Sequence, residues 1–258
     1  MNILIGDIGN TTTKICLIEK KNFKIKKIYF FNSKSLPSKK FLNIKFKNIF
    51  KNKKIHKVSL FSSVVPKYKI ILKNFLFKKY KIQLKEIKEK EINKIVKINI
   101  KNKNEVGADR IANAVGVYKK YKTNCIVLDF GTATTFDIVT KEGIYNGGVI
   151  APGINISMAI LSKSADQIPI FDIKKQSKII GKSTKEALRS GFYWGYLGLV
   201  NNIILKIQKE TKKNYKVVFT GGYANLFKTS IIRPFTVDKN ITIKGIVEIF
   251  KFNIKKLS

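Results

Sequence analysis

Two short segments of the sequence carry residues suited to binding phosphate. In each, an apolar stretch ends in Asp, Gly follows two residues later, and hydroxyl residues come next: 7–14 is DIGNTTTK and 129–135 is DFGTATT. Gly lets the backbone approach a ligand closely, and successive N–H groups in such a turn form a concavity that binds anions. Asp beside that concavity disfavours bare phosphate but suits a phosphate bridged by a cation. The pattern therefore predicts nucleotide phosphates; the alternative is a hairpin whose Asp only caps its turn.

The two segments form an internal repeat. An offset of 122 residues aligns the aspartate, the glycine and two threonines of each: Asp7 with Asp129, Gly9 with Gly131, Thr12 with Thr134 and Thr13 with Thr135. Two similarly folded halves would explain the repeat, and two turns facing each other would clamp a nucleotide across a cleft. Chance similarity between two β-hairpins is the alternative.

A third segment, EVGADR at 105–110, places an acid and a cation at the start of a predicted helix. Asp109 could act as a general base that accepts a hydroxyl proton during phosphoryl transfer. Arg110 would then bind a carboxylate or a phosphate. The alternative is that Asp109 only complements the helix dipole.

Glycine-rich segments later in the chain suggest further close contacts. The stretch 146–157 is interpreted as a loop leading into a helix near 158–161. Thr184 precedes a helix in which Gly191, Gly195 and Gly198 line one face and would allow close helix packing. The aromatic residues of that helix suit a core or a dimer interface. The TGG at 220–222 follows a strand and suits approach to a base or ribose, or a plain strand-to-helix turn.

Strands and helices alternate along the chain, which predicts an α/β fold. Strands are predicted at 2–6, 12–18, 23–31, 57–63, 125–129, 134–140 and 216–220, and helices at 67–80, 105–121 and 184–209. All nine alanines lie at or after Ala108, so the composition changes near 105–112. We expect a domain boundary there.

The charge is extreme. The 258 residues carry a net charge of +36, and all but three of the 52 cations are Lys. Nucleic-acid surfaces usually mix Arg with Lys, because the guanidinium group makes bidentate contacts. Abundant Lys, Ile, Asn and Phe with scarce Arg and Ala favour drift in an AT-rich genome over a nucleic-acid surface. The 44% hydrophobic content excludes a disordered chain.

Cys16 and Cys125 both lie in apolar stretches, which predicts reduced thiols inside a core, as in a cytosolic protein. The N-terminus lacks the basic region of a signal peptide, and no apolar run reaches the roughly 20 residues of a membrane helix. The lone histidine, His56, is predicted to lie at the surface.

Six segments, taken together and in this order, resemble the type III pantothenate kinases. They are DIGNT near the start, SSVVP at 62–66, EVGADR at 105–110, DFGTATT at 129–135, GGVIAPG at 147–153 and TGG at 220–222. The resemblance implies two duplicated actin-like domains of the acetate kinase/sugar kinase/heat-shock/actin superfamily with a cleft between them. They would comprise 1–110 and 111–258, with the boundary within ten residues of 110.

The resemblance also implies the site. ATP would be bound by Asp7, Ile8, Gly9, Asn10, Thr11, Thr12, Thr13, Lys14 and Thr132. Pantothenate would contact Gly107, Ala108, Asp109, Arg110 and Thr184, with Asp109 as the proton acceptor. Asp129 would hold a monovalent cation, K⁺ or NH₄⁺. The family uses ATP and Mg²⁺ in the first committed step to coenzyme A, as a cytoplasmic homodimer, so neither a membrane nor a nucleic acid is expected as a partner.

One departure from the family pattern lies directly before EVGADR. Family members usually have Tyr-x-Asn-Pro there, and this chain has Ile100 and Lys103 in place of the Tyr and the Pro. That tyrosine contacts substrate in the family, so the departure bears on substrate affinity. Two other functions are considered: a nucleic-acid-binding regulator on the same fold, tested by gel shift, and a superfamily kinase for another small substrate, tested by a substrate panel.

Overall fold

The structure is a computed structural model that describes residues 1–89, 91–165, 167–227 and 234–257. The chain forms two compact units. The first comprises Met1–Tyr121, Gly143–Tyr145 and Asn240–Ser258, and the second comprises Lys122–Glu142 and Asn146–Lys239. The boundary predicted near 110 would place residues 111–121 and the C-terminal residues 240–258 in the second domain. Both segments belong to the first compact unit instead.

Eleven strands and six helices are found in the described residues. In chain order they are β1 (Asn2–Ile8), β2 (Thr12–Glu19), β3 (Ile25–Asn32), α1 (Lys39–Phe50), β4 (Val58–Ser63), α2 (Pro66–Tyr80), β5 (Gln83–Glu86), β6 (Lys97–Ile98), α3 (Ala108–Tyr121), β7 (Cys125–Phe130), β8 (Ala133–Val139), β9 (Ile144–Pro152), α4 (Ile154–Ser164), α5 (Thr184–Thr211), β10 (Lys216–Gly221), β11 (Phe235–Val237) and α6 (Ile241–Leu257). Every strand and helix predicted from the pattern is present, with shifts of a few residues at the ends.

The two sheets repeat one topology. The strand order is β3-β2-β1-β4-β5 in the first unit, and β9-β8-β7-β10-β11 follows the same order in the second. In both, the first strand pairs antiparallel with the second and parallel with the fourth. The short strand β6 pairs with Ile144 and Tyr145, which belong to the first unit. The repeat seen in the two turns therefore extends over five strands.

One interpretation of the sequence was wrong at the glycine-rich segment. Residues 146–152 belong to β9 and are not a loop, and α4 begins at Ile154. Gly and Pro are typical of turns, which is why the segment was interpreted as a loop. Pairing within the sheet outweighs that tendency here. The helices α1 and α6 were not predicted.

Each sheet carries buried side chains on both faces, and one face packs against α1 and α2 in the first unit and against α5 in the second. In the first unit, Leu4 and Ile8 of β1 pack with Phe46 of α1 and Leu76 of α2. In the second, residues of β7, β8 and β10 pack with α5; the buried side chains include Leu128, Phe130, Phe136, Tyr193, Val200 and Phe219. Because strand side chains alternate, residues next to these core positions, such as Asp7 and Asp129, project from the opposite face.

The expectation for the helix α5 is half right. Tyr193 and Tyr196 are buried and pack in the core. The three glycines are different: a Cβ added at Gly191, Gly195 or Gly198 would meet nothing within 4 Å. Close packing of another helix on that face is therefore wrong for the described part of the chain.

Both cysteines are buried and free, as predicted. Burial raises the pKa of the Cys16 thiol and of the Cys125 thiol to about 12. Such thiols stay protonated at neutral pH and are poor nucleophiles. His56 is only partly exposed, and its Nδ1 lies 3.2 Å from the backbone of Val58. Among the described residues, no helix is both long and apolar enough to cross a membrane.

Helices α3 and α6 pack closely because two glycines face the partner backbone. A Cβ on Gly245 of α6 would lie 1.8 Å from the Ala112 carbonyl oxygen, and one on Gly116 of α3 would lie 2.5 Å from that of Ile241. Thr242 also donates a buried hydrogen bond to Asn113 Oδ1 at 2.8 Å. This contact fixes α3, and with it the position of Asp109 at its start.

We predict that Gly245→Ala destabilises the protein by about 1–3 kcal/mol, because the added methyl overpacks the α3–α6 contact. Gly198→Ala is the matched control, since its methyl would enter open space on α5; it should raise stability by roughly 0.4–1 kcal/mol. Denaturant unfolding followed by circular dichroism measures both. Equal stabilities for the two variants would contradict the described contact.

Candidate active site

The first turn is braced from behind by Ser33. Gly9 N donates to the Thr12 carbonyl at 3.1 Å, which closes the turn. Ser33 Oγ donates to the Gly9 carbonyl at 2.7 Å and lies 2.8 Å from Thr13 Oγ1, so the Thr13 hydroxyl is the donor in the second contact. Ser33 N also donates to the Thr11 carbonyl. The exposed residues Asn10 to Thr12 therefore form a fixed loop.

Ser33 is a site residue that sequence reasoning missed. It lies 20 residues after Thr13, in a short 3₁₀ turn at the end of β3, and serine is common in such turns. Nothing in the local pattern distinguishes this buried serine from serines in exposed turns. Only the pairing of β2 with β3 brings it behind the loop.

Asp7 lies at the end of β1 between two strands. It is in register with Lys14 of β2 and with Ser62 of β4, and only 8% of its surface is exposed. Registered partners on neighbouring strands project from the same face of a sheet. The Asp7 carboxylate thus lies beside the base of the loop, close to a cationic and a hydroxyl-bearing residue.

The second turn has the same design with one residue fewer. Gly131 N donates to the Ala133 carbonyl at 3.1 Å. Phe130 is in register with Thr134, as Ile8 is with Thr13. Thr13 is therefore equivalent to Thr134, and the offset of 122 fails beyond the glycine, because the first turn is longer by one residue.

Asp129 lies against the end of β10. It is in register with Thr220, and a Cβ on Gly221 would come within 2.6 Å of Asp129 Oδ1. Gly221 has φ +84°, a conformation that favours glycine, and Gly222 N donates to the Phe130 carbonyl at 3.0 Å. Within the TGG segment, Gly221 is therefore required by the backbone conformation and by the close Asp129 carboxylate.

The APG segment supports the same turn. A Cβ on Gly153 would lie 2.0 Å from the Thr132 carbonyl oxygen, so the start of α4 packs directly on the loop. Thr132 itself is exposed. This contact gives the GGVIAPG segment a role that the sequence did not reveal: it holds the exposed part of the second turn.

Asp109 is a partly buried carboxylate in the first turn of α3. Arg110 N donates to Asp109 Oδ1 at 2.8 Å, and a Cβ on Gly107 would lie 2.5 Å from the same oxygen. Burial raises the pKa of Asp109 above its ordinary value; the Arg110 N–H and the charges of Arg110 and Lys88 oppose this rise. A carboxylate with a raised pKa is a better general base.

Arg110 is held beside an aromatic ring. The carbon at the centre of its guanidinium group lies 5.8 Å from the centre of the Tyr145 ring, within cation–π range. Tyr145 lies in the part of β9 that pairs with Ile98 of β6. The strand preceding EVGADR therefore helps to position Arg110.

The segment that departs from the family pattern borders a cavity in the first unit. The cavity has a volume of about 420 Å³, and Lys103 lies in its wall together with Lys88, Glu91, Ile92, Asn93, Lys94, Ile98, Asn104 and Ile111. Lys88 Nζ donates to the Asn104 carbonyl at 3.0 Å. Lys103 therefore adds positive charge to a pocket close to the start of α3.

Thr184 is exposed and is the first residue of α5. Ser183 caps the helix, since its hydroxyl accepts from Glu186 N at 3.3 Å, and Glu186 Oε2 accepts from Lys182 N at 2.7 Å. Thr184 lies in the second unit with Asp129 and Thr132, whereas 7–14 and 107–110 lie in the first. No group of three or more His, Cys, Asp and Glu side chains that could hold a metal occurs in the described ranges.

Comparisons with known proteins identify one family. The sequence profile described as Type III pantothenate kinase matches residues 3–206. A type III pantothenate kinase of Pelagibacter ubique is 47% identical over 248 residues, which are 95% of this chain and 97% of the relative. One from Paramagnetospirillum magneticum is 37% identical over 195 residues, 76% of this chain and 75% of the relative.

Solved structures show the fold. A candidate Baf family transcriptional activator of Campylobacter jejuni has a TM-score of 0.63 at 21% identity, covering 98% of this chain and 99% of its own. A candidate N-acetylmannosamine kinase of Listeria monocytogenes has a TM-score of 0.52 at 14% identity, covering 98% and 100%. The chain has the α/β fold of the actin-like sugar kinases, as expected.

We predict that Gly221→Ala lowers the free energy of unfolding by about 1–3 kcal/mol, because alanine is strained at this φ and its methyl would meet Asp129 Oδ1. Gly222→Ala is the adjacent control: its Cβ would meet only the Phe130 carbonyl oxygen at 3.9 Å, an ordinary contact. Its effect should stay within roughly 0.5 kcal/mol. Urea denaturation measures both, and equal losses would contradict the assignment.

Proposed function

This chain belongs to the type III pantothenate kinase family, and we propose that it transfers the γ-phosphoryl group of ATP to the primary hydroxyl of pantothenate. The product is 4′-phosphopantothenate, and the reaction is the first step of coenzyme A biosynthesis. The observation that carries the proposal is Asp109: a carboxylate in the first turn of α3 whose pKa is raised by burial. That is the property a general base for an alcohol requires.

In this proposal ATP is bound through its phosphates at the first turn. Asp7, Ile8, Gly9, Asn10, Thr11, Thr12, Thr13 and Lys14 form the ATP-binding segment, and Thr132 adds a contact. The brace by Ser33 supports this role, because a loop already fixed loses little entropy when it binds. Lys14, in register with Asp7, is placed to offset phosphate charge.

Two cations belong to the proposal, and the residues present suit both. Mg²⁺ is commonly held by one or two carboxylates together with substrate phosphates. Asp7, which lies beside the loop, would therefore be enough as the carboxylate ligand from the protein. Asp129 would hold K⁺ or NH₄⁺, since it is in register with the hydroxyl-bearing Thr220 of β10 and its single negative charge matches a monovalent ion. When bound, the two cations neutralise charge on the transferring phosphoryl group.

The residues around EVGADR act on pantothenate. Asp109 accepts the proton of the primary hydroxyl as its oxygen attacks phosphorus, and the bond from phosphorus to the ADP oxygen breaks. Arg110, oriented by Tyr145, binds the polar end of the substrate. Gly107, Ala108 and Thr184 complete the substrate contacts. Because Gly107 leaves room only for the Asp109 carboxylate, it fixes where the base lies.

We also propose that the chain functions as a homodimer in the cytoplasm. Apolar side chains of the second unit are exposed on and after α4: Ile156 at 40%, Ile160 at 59% and Ile170 at 90%. Ile170 borders a cavity of about 380 Å³ whose wall includes Met158 and Ala159 of α4. Several exposed apolar side chains on and after one helix are typical of a protein interface. A second copy of this chain is the partner that we propose for it.

The dimer is tested by Ile160→Lys, which places a charge in the proposed interface. We predict that light scattering after gel filtration gives the mass of a dimer for the wild type and of a monomer for the variant, at equal concentration. Ile70→Lys is the control, since Ile70 is 54% exposed on α2 of the first unit. A dimeric Ile160→Lys variant would contradict this interface.

The kinase is tested by ADP release that depends on pantothenate. We predict that Asp109→Asn lowers kcat about 10²–10⁴-fold without lowering the melting temperature, because asparagine keeps the Oδ1 acceptor for Arg110 N and removes a buried charge. Wild-type kcat/KM should fall on acidification at a pH above the ordinary aspartate pKa of about 4. Glu19→Gln, at a partly exposed carboxylate that pairs with Lys26 at the far end of β2, is the control. An unchanged rate for Asp109→Asn would remove Asp109 from this role.

A further inference from the structure

Two fully buried hydroxyl groups occupy matching positions in the two sheets. Ser62 Oγ and Thr220 Oγ1 are both in residues with 0% exposure, and neither makes a hydrogen bond to any residue that the structure describes. Buried polar groups without a partner are rare, because leaving one unsatisfied costs free energy. Two at equivalent positions of a repeat call for a common explanation.

Each of these hydroxyls is in register with a site aspartate. Ser62 on β4 pairs with Asp7 on β1, and Thr220 on β10 pairs with Asp129 on β7. Residues paired on neighbouring strands project their side chains from the same face of a sheet. The pair Gly6 and Phe61 shows this, because a Cβ on Gly6 would lie 2.2 Å from the Phe61 ring. Each hydroxyl therefore projects on the same side of the sheet as its aspartate.

A second observation locates the Asp129 carboxylate at the end of β10. Asp129 Oδ1 lies 2.6 Å from where a Cβ of Gly221 would be, so the carboxylate leans over the residue that follows Thr220. The neighbouring side chains Phe130 and Phe219 belong to the core on the opposite face. Thr220 is thus excluded from that core and placed beside Asp129.

We propose that Thr220 Oγ1 is an oxygen ligand of the monovalent cation held by Asp129. A threonine hydroxyl has lone pairs for a cation, and a neutral oxygen completes coordination without adding charge. The inference rests on the proposed function, which assigns the cation to Asp129. Ser62 is the equivalent residue beside Asp7, where Mg²⁺ would be held. Binding of the cation gives the buried Thr220 hydroxyl the partner that the described residues do not provide.

The test uses Thr220→Val, which replaces the hydroxyl with a methyl group of similar size. The melting temperature is measured in KCl and in choline chloride at equal ionic strength. In choline, the variant should melt at a higher temperature than the wild type, because an unsatisfied polar group has been removed. In KCl, the wild type should be stabilised, and the variant should need at least tenfold more K⁺ for half of that gain.

Two variants make the test specific. Thr220→Ser keeps the oxygen and should keep the K⁺ response within a factor of about three, whereas Thr236→Val, on the neighbouring strand β11, should respond like the wild type. A Thr220→Val variant that is half-stabilised at the wild-type K⁺ concentration would overturn the proposal, as would a wild type that K⁺ does not stabilise. Pantothenate-dependent ADP release of the wild type is measured separately, so a failure of the kinase function is distinguished from a failure of this ligand.

Discussion

The proposed site depends on two glycines whose missing side chains leave room for an aspartate carboxylate. A Cβ on Gly107 would meet Asp109, and a Cβ on Gly221 would meet Asp129. Interiors are packed so tightly that such contacts leave the carboxylate few other positions. A third glycine, Gly245, lets α6 approach α3 and so fixes the helix that carries Asp109. Close approach of the backbone therefore helps to set the geometry of the proposed chemistry.

The duplicated topology explains why the chemistry is divided as it is. The same five-strand order places an aspartate at the end of the first strand of each unit, next to a buried hydroxyl on the fourth. The turns that follow differ by one residue, and only the first is braced by a serine from the third strand. One repeated arrangement can therefore serve the two tasks that we propose, phosphate binding at Asp7 and binding of a monovalent cation at Asp129.

The local patterns in the sequence were sufficient for seven of the eleven described strands, for the two turns and for the helix that carries Asp109. They failed where a structure is defined by a distant partner. The glycine-rich β9 resembles a loop until it pairs in the sheet, and α6 acquires its position from α3, more than 100 residues earlier. Ser33 and Thr220 belong to common surface and strand patterns, and only the register of neighbouring strands brings them to the site. The offset of 122 also hid the shorter second turn, because a gap cannot be seen in a run of threonines.

The identity of the phosphorylated product is the direct test of whether this chain transfers a phosphoryl group to pantothenate. The purified protein is incubated with ATP, Mg²⁺ and K⁺ in an equimolar mixture of pantothenate, acetate and a panel of sugars, and the products are separated by mass spectrometry. We predict that pantothenate alone gains a phosphoryl group, and that the amount of 4′-phosphopantothenate formed equals the amount of ADP released. Phosphorylation of a sugar or of acetate, with pantothenate left unmodified, would contradict it.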